Sequence, residues 1–160
     1  DYGYTCDMPS TNYRMSELEA SLGITQLKKI NVFLRKRKKN FYKLKKVFEN
    51  NRSFHIPDIN KKSFASSYYC FSVIFKNISK SKRNELINKI NLKGIGTSIY
   101  YPHPVPRLNY YKKKYRLNLE NFKNSSIFTD KNICFPIGPH VDFKKMKYMV
   151  AELKKITKSL

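Results

Sequence analysis

The chain has 160 residues and 19.0 kDa, with 33 Lys and Arg against 11 Asp and Glu, giving a formal charge of +22 and a pI near 10.0. Hydrophobic residues make up 41%, enough for a domain-sized core, which excludes wholesale disorder despite the charge. No run reaches the ~18 apolar residues of a membrane span, and the sequence opens on Asp1 and an aromatic stretch rather than on Met, so a piece of a longer polypeptide is expected.

Ser16-Glu17-Leu18-Glu19 reads as a capping box, with Met15 and Ala20 near the staple positions. A long helix follows, its apolar stripe running through Leu18, Leu22, Leu27, Ile30, Leu34, Phe41, Leu44 and Phe48 until Asn50-Asn51 and Pro57 end it. Arg37 and Lys38 interrupt the stripe, and their aliphatic stems are expected along the core edge with the charges outside. Gly23 inside the helix predicts a close backbone approach. Ser67–Phe75 alternates as a strand with Tyr69, Phe71, Val73 and Phe75 on one face. Ser79–Leu92 reads as a helix burying Leu86, Ile87 and Ile90, closed by a left-handed Gly94. Gly96–Tyr101 predicts a second strand, stopped by Pro102, Pro104 and Pro106. Short helices are expected over 109–115 and 121–129, then a strand over Ile133–Phe135. A final helix over 142–158 should turn Phe143, Met146, Val150 and Leu153 inward. The order is that of an α+β fold, a long N-terminal helix leading into a small three-stranded sheet covered by helices.

The positive charge suits a nucleic-acid or anionic-surface binder. Against that, only seven of the 33 basic residues are Arg, the chain is rich in Lys, Asn and Ile together, and basic residues recur throughout. Composition bias on solvated faces explains this better than a dedicated stripe. Cys6, Cys70 and Cys134 form no C-x-x-C, and His55, His103 and His140 are scattered, so neither a disulfide framework nor a metal site is expected and a reducing compartment fits. No carboxylate pair, catalytic triad or Gly-rich phosphate loop stands out. Three clusters go beyond a plain basic α+β domain. Thr11-Asn12-Tyr13-Arg14-Met15 puts an amide and a guanidinium just before a helix N-terminus, a place that favours anions. Tyr100–Arg107 is a proline-stiffened loop with two phenols, an imidazole and a guanidinium. Pro136-Ile137-Gly138-Pro139-His140 is a fixed turn.

Asn12–Ala20 with Leu22-Gly23-Ile24 and Gln26-Leu27 resembles the hallmark segment of the DegT/StrS-type sugar aminotransferases, which are fold-type I, pyridoxal 5'-phosphate (PLP) enzymes. The likeness continues, in family order, through Arg37-Lys38-Lys39-Asn40, Gly94-Ile95-Gly96-Thr97, Tyr100-Tyr101-Pro102 and Pro136–His140. It implies the C-terminal part of such an enzyme. Residues 1–15 would be the tail of the large domain, 16–50 the connecting helix and 51–160 the small C-terminal domain. The Schiff-base lysine would lie upstream, leaving no catalytic residue in this chain and predicting that it is inactive alone. The resemblance assigns Asn12 and Arg14 to PLP and Tyr100, Tyr101, His103 and Arg107 to a nucleotide-sugar substrate. Glutamate would be the amino donor, in a cytoplasmic homodimer with shared active sites. Two departures stand out: Tyr100-Tyr101 replaces the His-Tyr of many members, and Pro106 replaces a histidine. The rivals are a sugar dehydratase of the same architecture, in which a histidine replaces the lysine, and a stand-alone basic binding domain.

Overall fold

The computed structural model describes residues 13–57 and 65–158. The chain divides into two compact units, Asp1–Val32 and Phe33–Leu160. Helix α1, Glu17–Phe48, contributes its first half to one and its second half to the other. Its start is the expected capping box: the Glu19 carboxylate accepts from the Ser16 amide at 2.8 Å, and the Glu19 amide donates to the Ser16 hydroxyl at 3.3 Å. The Ser16 amide and hydroxyl, both donating to this carboxylate, hold the Glu19 carboxyl below its ordinary pKa.

The apolar stripe of α1 has two fates. Leu18, Leu22, Leu27 and Ile30 are exposed, whereas Phe41, Leu44 and Phe48 are buried. The described part of the first unit is a single helix, and one helix has no second layer against which to bury a face. A Cβ added at Gly23 would likewise meet nothing within 4 Å, so the expected close approach is not met among the described residues.

The second unit is built on an antiparallel sheet of β1 (Phe54–His55), β2 (Phe71–Phe75) and β3 (Asn132–Phe135), in that order. Register pairs Phe54 with Phe75, Phe71 with Phe135 and Val73 with Ile133. Phe71, Val73 and Phe75 are buried while Ser72 and Ile74 are only partly so, the alternation the sequence predicts. Around them lie α2 (Lys80–Leu92), α3 (Asn109–Tyr115), α4 (Lys123–Lys131) and α5 (Phe143–Lys158). The core has no Trp and is filled by Phe. Phe48 stacks on Phe135 at 5.8 Å and meets Phe54 edge-on at 5.2 Å, while Phe41 meets Phe71 at 4.9 Å. Each such pair adds about 0.5–1.5 kcal/mol beyond area burial. Met146, Met149 and Leu153 of α5 and Leu86 and Ile90 of α2 complete the core.

Helix α2 begins on Ser79, whose hydroxyl accepts from the Lys82 amide at 3.1 Å. It ends in a Schellman arrangement. Gly94, at φ +72°, donates to Asn91 at 2.8 Å and Ile95 donates back to Ile90 at 3.4 Å.

Three expectations for this unit are corrected. The second predicted strand, Gly96–Tyr101, reduces to one bridge between Ser98 and Cys134. Beyond it the Asn132 side chain, not a strand, takes the Tyr100 carbonyl. The short β1 provides the third strand instead. Tyr69 lies before β2 and is exposed, because Tyr68 at φ 50° breaks the extended run. Phe143 is also exposed, since its ring lies beneath the Lys43 ammonium at 4.6 Å rather than in the core.

Candidate functional site

Two of the cavities in the second unit share Tyr100: β3 and the turn after it line one, and the segment from Tyr100 to Pro106 with α3 and α4 lines the other. Asn132 is fully buried and works as a junction. Its Oδ1 accepts from the Ser72 hydroxyl at 2.7 Å, and its Nδ2 donates to the Tyr100 carbonyl at 3.4 Å and to the Cys134 sulfur at 3.5 Å. Arg83, 1% exposed, reaches over from α2 and donates through Nη1 to the Asn132 carbonyl at 2.9 Å and the Thr129 carbonyl at 3.2 Å. It thereby satisfies carbonyls left open at the end of α4. Burial pulls the Arg83 pKa down and the nearby Asp130 charge partly opposes this.

From this support springs the loop Tyr100–Leu108. Pro104 is buried and starts a 3₁₀ turn over Val105–Arg107. Arg107 closes on Asp130 with both arms of its guanidinium, Nη1 to Oδ1 at 2.7 Å and Nη2 to Oδ2 at 2.9 Å, with Lys80 at 3.5 Å. The fork holds the Asp130 carboxyl below the usual carboxylate range. The loop walls an aromatic groove of about 720 Å³, lined by Tyr100, Tyr101, His103, Tyr111 and Tyr115 among others. Tyr111 and Tyr115 stand one turn apart on α3 with rings nearly parallel, 6.2 Å between centroids. Tyr101 is well exposed at the mouth, and its ring meets Tyr100 edge-on at 5.8 Å.

The other cavity, about 250 Å³, shares Tyr100 and is lined also by Arg37, Tyr69, Cys70, Cys134 and His140. The Pro136–His140 turn forms one wall, and Asn40 of α1 pins it. The Asn40 amide donates to the Val141 carbonyl at 3.0 Å and to the Ile137 and Gly138 carbonyls at 3.3 and 3.5 Å. The His140 ring lies so close to Gly138 that an added Cβ would stand 2.6 Å from it. Arg37 is partly buried as expected, but part of its charged head is not outside, since Nε is buried with no hydrogen-bond partner.

Tyr100, Tyr101 and His103 thus line one groove, as their shared loop predicts. Arg107 does not line it and has its fork taken up by Asp130. Arg14 is exposed in the first unit. Asn12 lies outside the described residues, as does Cys6. Sequence reasoning did not single out Asn132, Arg83, Asp130, Tyr111 or Tyr115. Only the i, i+4 spacing of the last two carried a signal. Among the described residues no cluster of three metal-ligating side chains occurs, and no helix is long and apolar enough to cross a membrane.

A long helix running into a three-stranded sheet with flanking helices is the fold of the corresponding part of a sugar aminotransferase. The structure superposes on the putative sugar aminotransferase Spr1654 from Streptococcus pneumoniae in its PMP form, with a TM-score of 0.84 and 22% identity, over 99% of this chain and 39% of that one. The same protein is also known in a PLP form. The model of the DegT/DnrJ/EryC1/StrS aminotransferase family matches residues 1–154, and the chain belongs to this PLP-dependent family. It is 30% identical to the UDP-4-amino-4,6-dideoxy-N-acetyl-beta-L-altrosamine transaminase of Campylobacter jejuni serotype O:2, over 86% of this chain and 36% of the relative. It is also 30% identical to the GDP-4-keto-6-deoxy-D-mannose 3-dehydratase of Yersinia pseudotuberculosis, over 77% of this chain and 29% of the relative. The chain therefore spans roughly a third of the length of these two relatives.

Proposed function

We propose that this chain is the C-terminal portion of a PLP-dependent aminotransferase that aminates a nucleotide-linked keto sugar for polysaccharide or glycoside biosynthesis. Family membership supports the reaction class. The observation that carries the substrate reading is the gathering of Tyr100, Tyr101 and His103 along one aromatic groove. A phenol and an imidazole at the mouth of such a groove offer hydrogen bonds to sugar hydroxyls or a diphosphate, and the rings offer apolar area to the rest.

The donors preceding α1 suit phosphate. Asn12 carries an amide and Arg14 a guanidinium, both hydrogen-bond donors ahead of a helix start, although Glu17 and Glu19 already occupy its first turn. They would hold the cofactor phosphate, and PLP when bound supplies an electron sink for proton removal beside the amine. Tyr101 and His103 would orient the sugar and diphosphate. Tyr100, fixed through its carbonyl by Asn132, would form a wall. Arg107 enters by ordering this loop through Asp130, with its remaining N–H groups available to a diphosphate. In this reading glutamate is the amino donor and the Schiff-base lysine lies outside the chain. The enzyme works as a cytoplasmic homodimer with shared sites, and the isolated 160-residue chain is inactive.

The test is made on the full-length protein, which should absorb as a PLP protein and move nitrogen from glutamate onto a nucleotide-linked keto sugar. Asn12→Ala should weaken cofactor retention, and unchanged PLP affinity would remove Asn12 from the site. A second reading, a PLP-dependent sugar dehydratase, is supported by the 30% identity to the 3-dehydratase. Product mass separates the two: the first reading requires a product that gains nitrogen, the second one that loses oxygen without gaining it.

A further inference from the structure

Cys70 and Cys134 lie far apart in sequence and meet across the sheet. Ser72 faces Cys134 in the β2–β3 ladder, which makes Cys70, two residues earlier, the diagonal neighbour of Cys134 on the same side. Both are free thiols and both line the 250 Å³ cavity. The two thiols influence each other directly, each moving the other's titration in the opposite direction. Asn132 Nδ2 donates to the Cys134 sulfur at 3.5 Å, and the Asn132 Oδ1 can accept from its S–H at 3.8 Å. Interaction with Cys70 and the surrounding donors favour the thiolate, so Cys134 is pulled below the ordinary thiol range, whereas its half-buried partner Cys70 is pushed above it. Arg37 lines the same cavity, its Nε without a partner. Cys134 is 2% exposed, so only a small reagent entering the cavity reaches it.

We propose that Cys134 and Cys70 form a redox-active dithiol, with Cys134 the attacking and Cys70 the resolving sulfur, oxidised by hydrogen peroxide or another small hydroperoxide. The Cys134 sulfur attacks one peroxide oxygen, the O–O bond breaks, and the other oxygen leaves as hydroxide, giving Cys134 S–OH. The Cys70 sulfur then gives up its proton and attacks the Cys134 sulfur. The S–O bond breaks, water leaves and the disulfide forms. Two thiols lose two electrons and two protons, and one peroxide becomes two waters. Tyr100 lines both the cavity of the pair and the aromatic groove, and Tyr69, adjoining Cys70, packs on the Tyr100 ring at 5.5 Å. Oxidation would tie the segment bearing Tyr69 to β3.

The experiment treats the reduced, natively folded full-length protein with one equivalent of hydrogen peroxide, alkylates the remaining thiols and identifies the cysteines by peptide mass spectrometry. A peptide cross-linked through Cys70 and Cys134, reversed by dithiothreitol, is expected. Cys70→Ser should let Cys134 accumulate as a sulfenic acid trapped by dimedone. Cys134→Ser should lower oxidation of Cys70 at least tenfold. Full alkylation of both wild-type thiols after peroxide, or a cross-link of either one to Cys6, would overturn the pair. Sulfenic acid forming on Cys70 in the Cys134→Ser protein at the wild-type rate would overturn the assignment of roles. The wild-type arm needs no variant, so a misfolded substitution cannot hide the result.

Discussion

The Arg107–Asp130 fork separates two roles for Arg107, direct contact with a diphosphate and ordering of the groove loop. The perturbation is a double-mutant cycle, Arg107→Met and Asp130→Asn, alone and together. Both bonds are short and charge-assisted, 2.7 and 2.9 Å, and the side chains are 27% and 23% exposed. The pair therefore falls between a solvated ion pair, worth about 0.2–1 kcal/mol, and hydrogen bonds to charged groups, worth about 1.5–3 kcal/mol. A coupling energy of about 1–2 kcal/mol is expected from that bracket. The Asp130 carboxyl is depressed chiefly by the Arg107 fork. Its contribution is then complete above the unfolded carboxylate value of about 3.9 and fades as pH falls through the lower folded value.

Urea unfolding of the four proteins at pH 7 and again near pH 3 measures the coupling. Nucleoside-diphosphate binding to the full-length protein is read alongside. If Arg107 orders the loop, both single variants weaken binding by a similar factor and the double variant adds little. Additive stability effects would refute the clamp. So would a loss of binding in Arg107→Met with none in Asp130→Asn, which is the signature of an arginine that touches the ligand itself.

Arg83→Met removes a buried guanidinium and strands the Thr129 and Asn132 carbonyls, so a loss of about 1–3 kcal/mol is expected in the urea midpoint, and a neutral result would deny Arg83 its capping role. Asn40→Ala unties three carbonyls of the Pro136–Val141 turn at a cost of about 2–3 kcal/mol, and hydrogen exchange should quicken there while β2 is unchanged. Gly138→Ala should expel the His140 ring from its place against the turn with little change in melting temperature, since an exposed imidazole can swing away. A shift in the His140 NMR signals checks it. The rival binding-domain reading predicts steeply salt-dependent duplex DNA binding, and affinity no better than that of a cationic control protein would remove it.

Much of the fold was legible because local chemistry and tertiary structure agree. Ser16 with Glu19, Ser79 and Gly94 each mark a helix boundary by side-chain or backbone geometry that needs no partner. The errors fall where a distant group decides. β1 is two residues long, with no periodicity to read, and is held partly by the Lys76 amide on the Ser53 carbonyl. Gly96–Tyr101 has strand composition, yet Asn132 captures its Tyr100 carbonyl from a position no local pattern reveals. Phe143 keeps helical spacing but finds an ammonium instead of a core. The site divides in the same way. Tyr100, Tyr101 and His103 share one stiff loop, so their proximity follows from the prolines. Arg83 looks like any other cation of a basic helix, and Asp130 like any acid near a helix end, until the fold places them.

The charge excess also shapes how this structure is satisfied. With 33 cations and 11 acids, most basic side chains have no carboxylate to meet. Several of their contacts run instead to carbonyls and rings. Arg83 serves the end of α4, Lys131 donates to the Lys76 carbonyl, and Lys145 to that of His140 at 3.2 Å. Lys43 and Lys114 lie over aromatic faces. A carbonyl partner holds a cation by dipole rather than by net charge, so these contacts lose less to added salt than ion pairs do. Lys123–Glu120, Lys145–Asp142 and Lys155–Glu152 are i, i+3 pairs with exposed lysines, whereas Asp130 gathers two cations, Lys80 and Arg107, on one partly buried carboxylate. If charge pairing matters anywhere in this unit, it should matter there, so salt should change the Arg107–Asp130 coupling more than the Arg83 contribution.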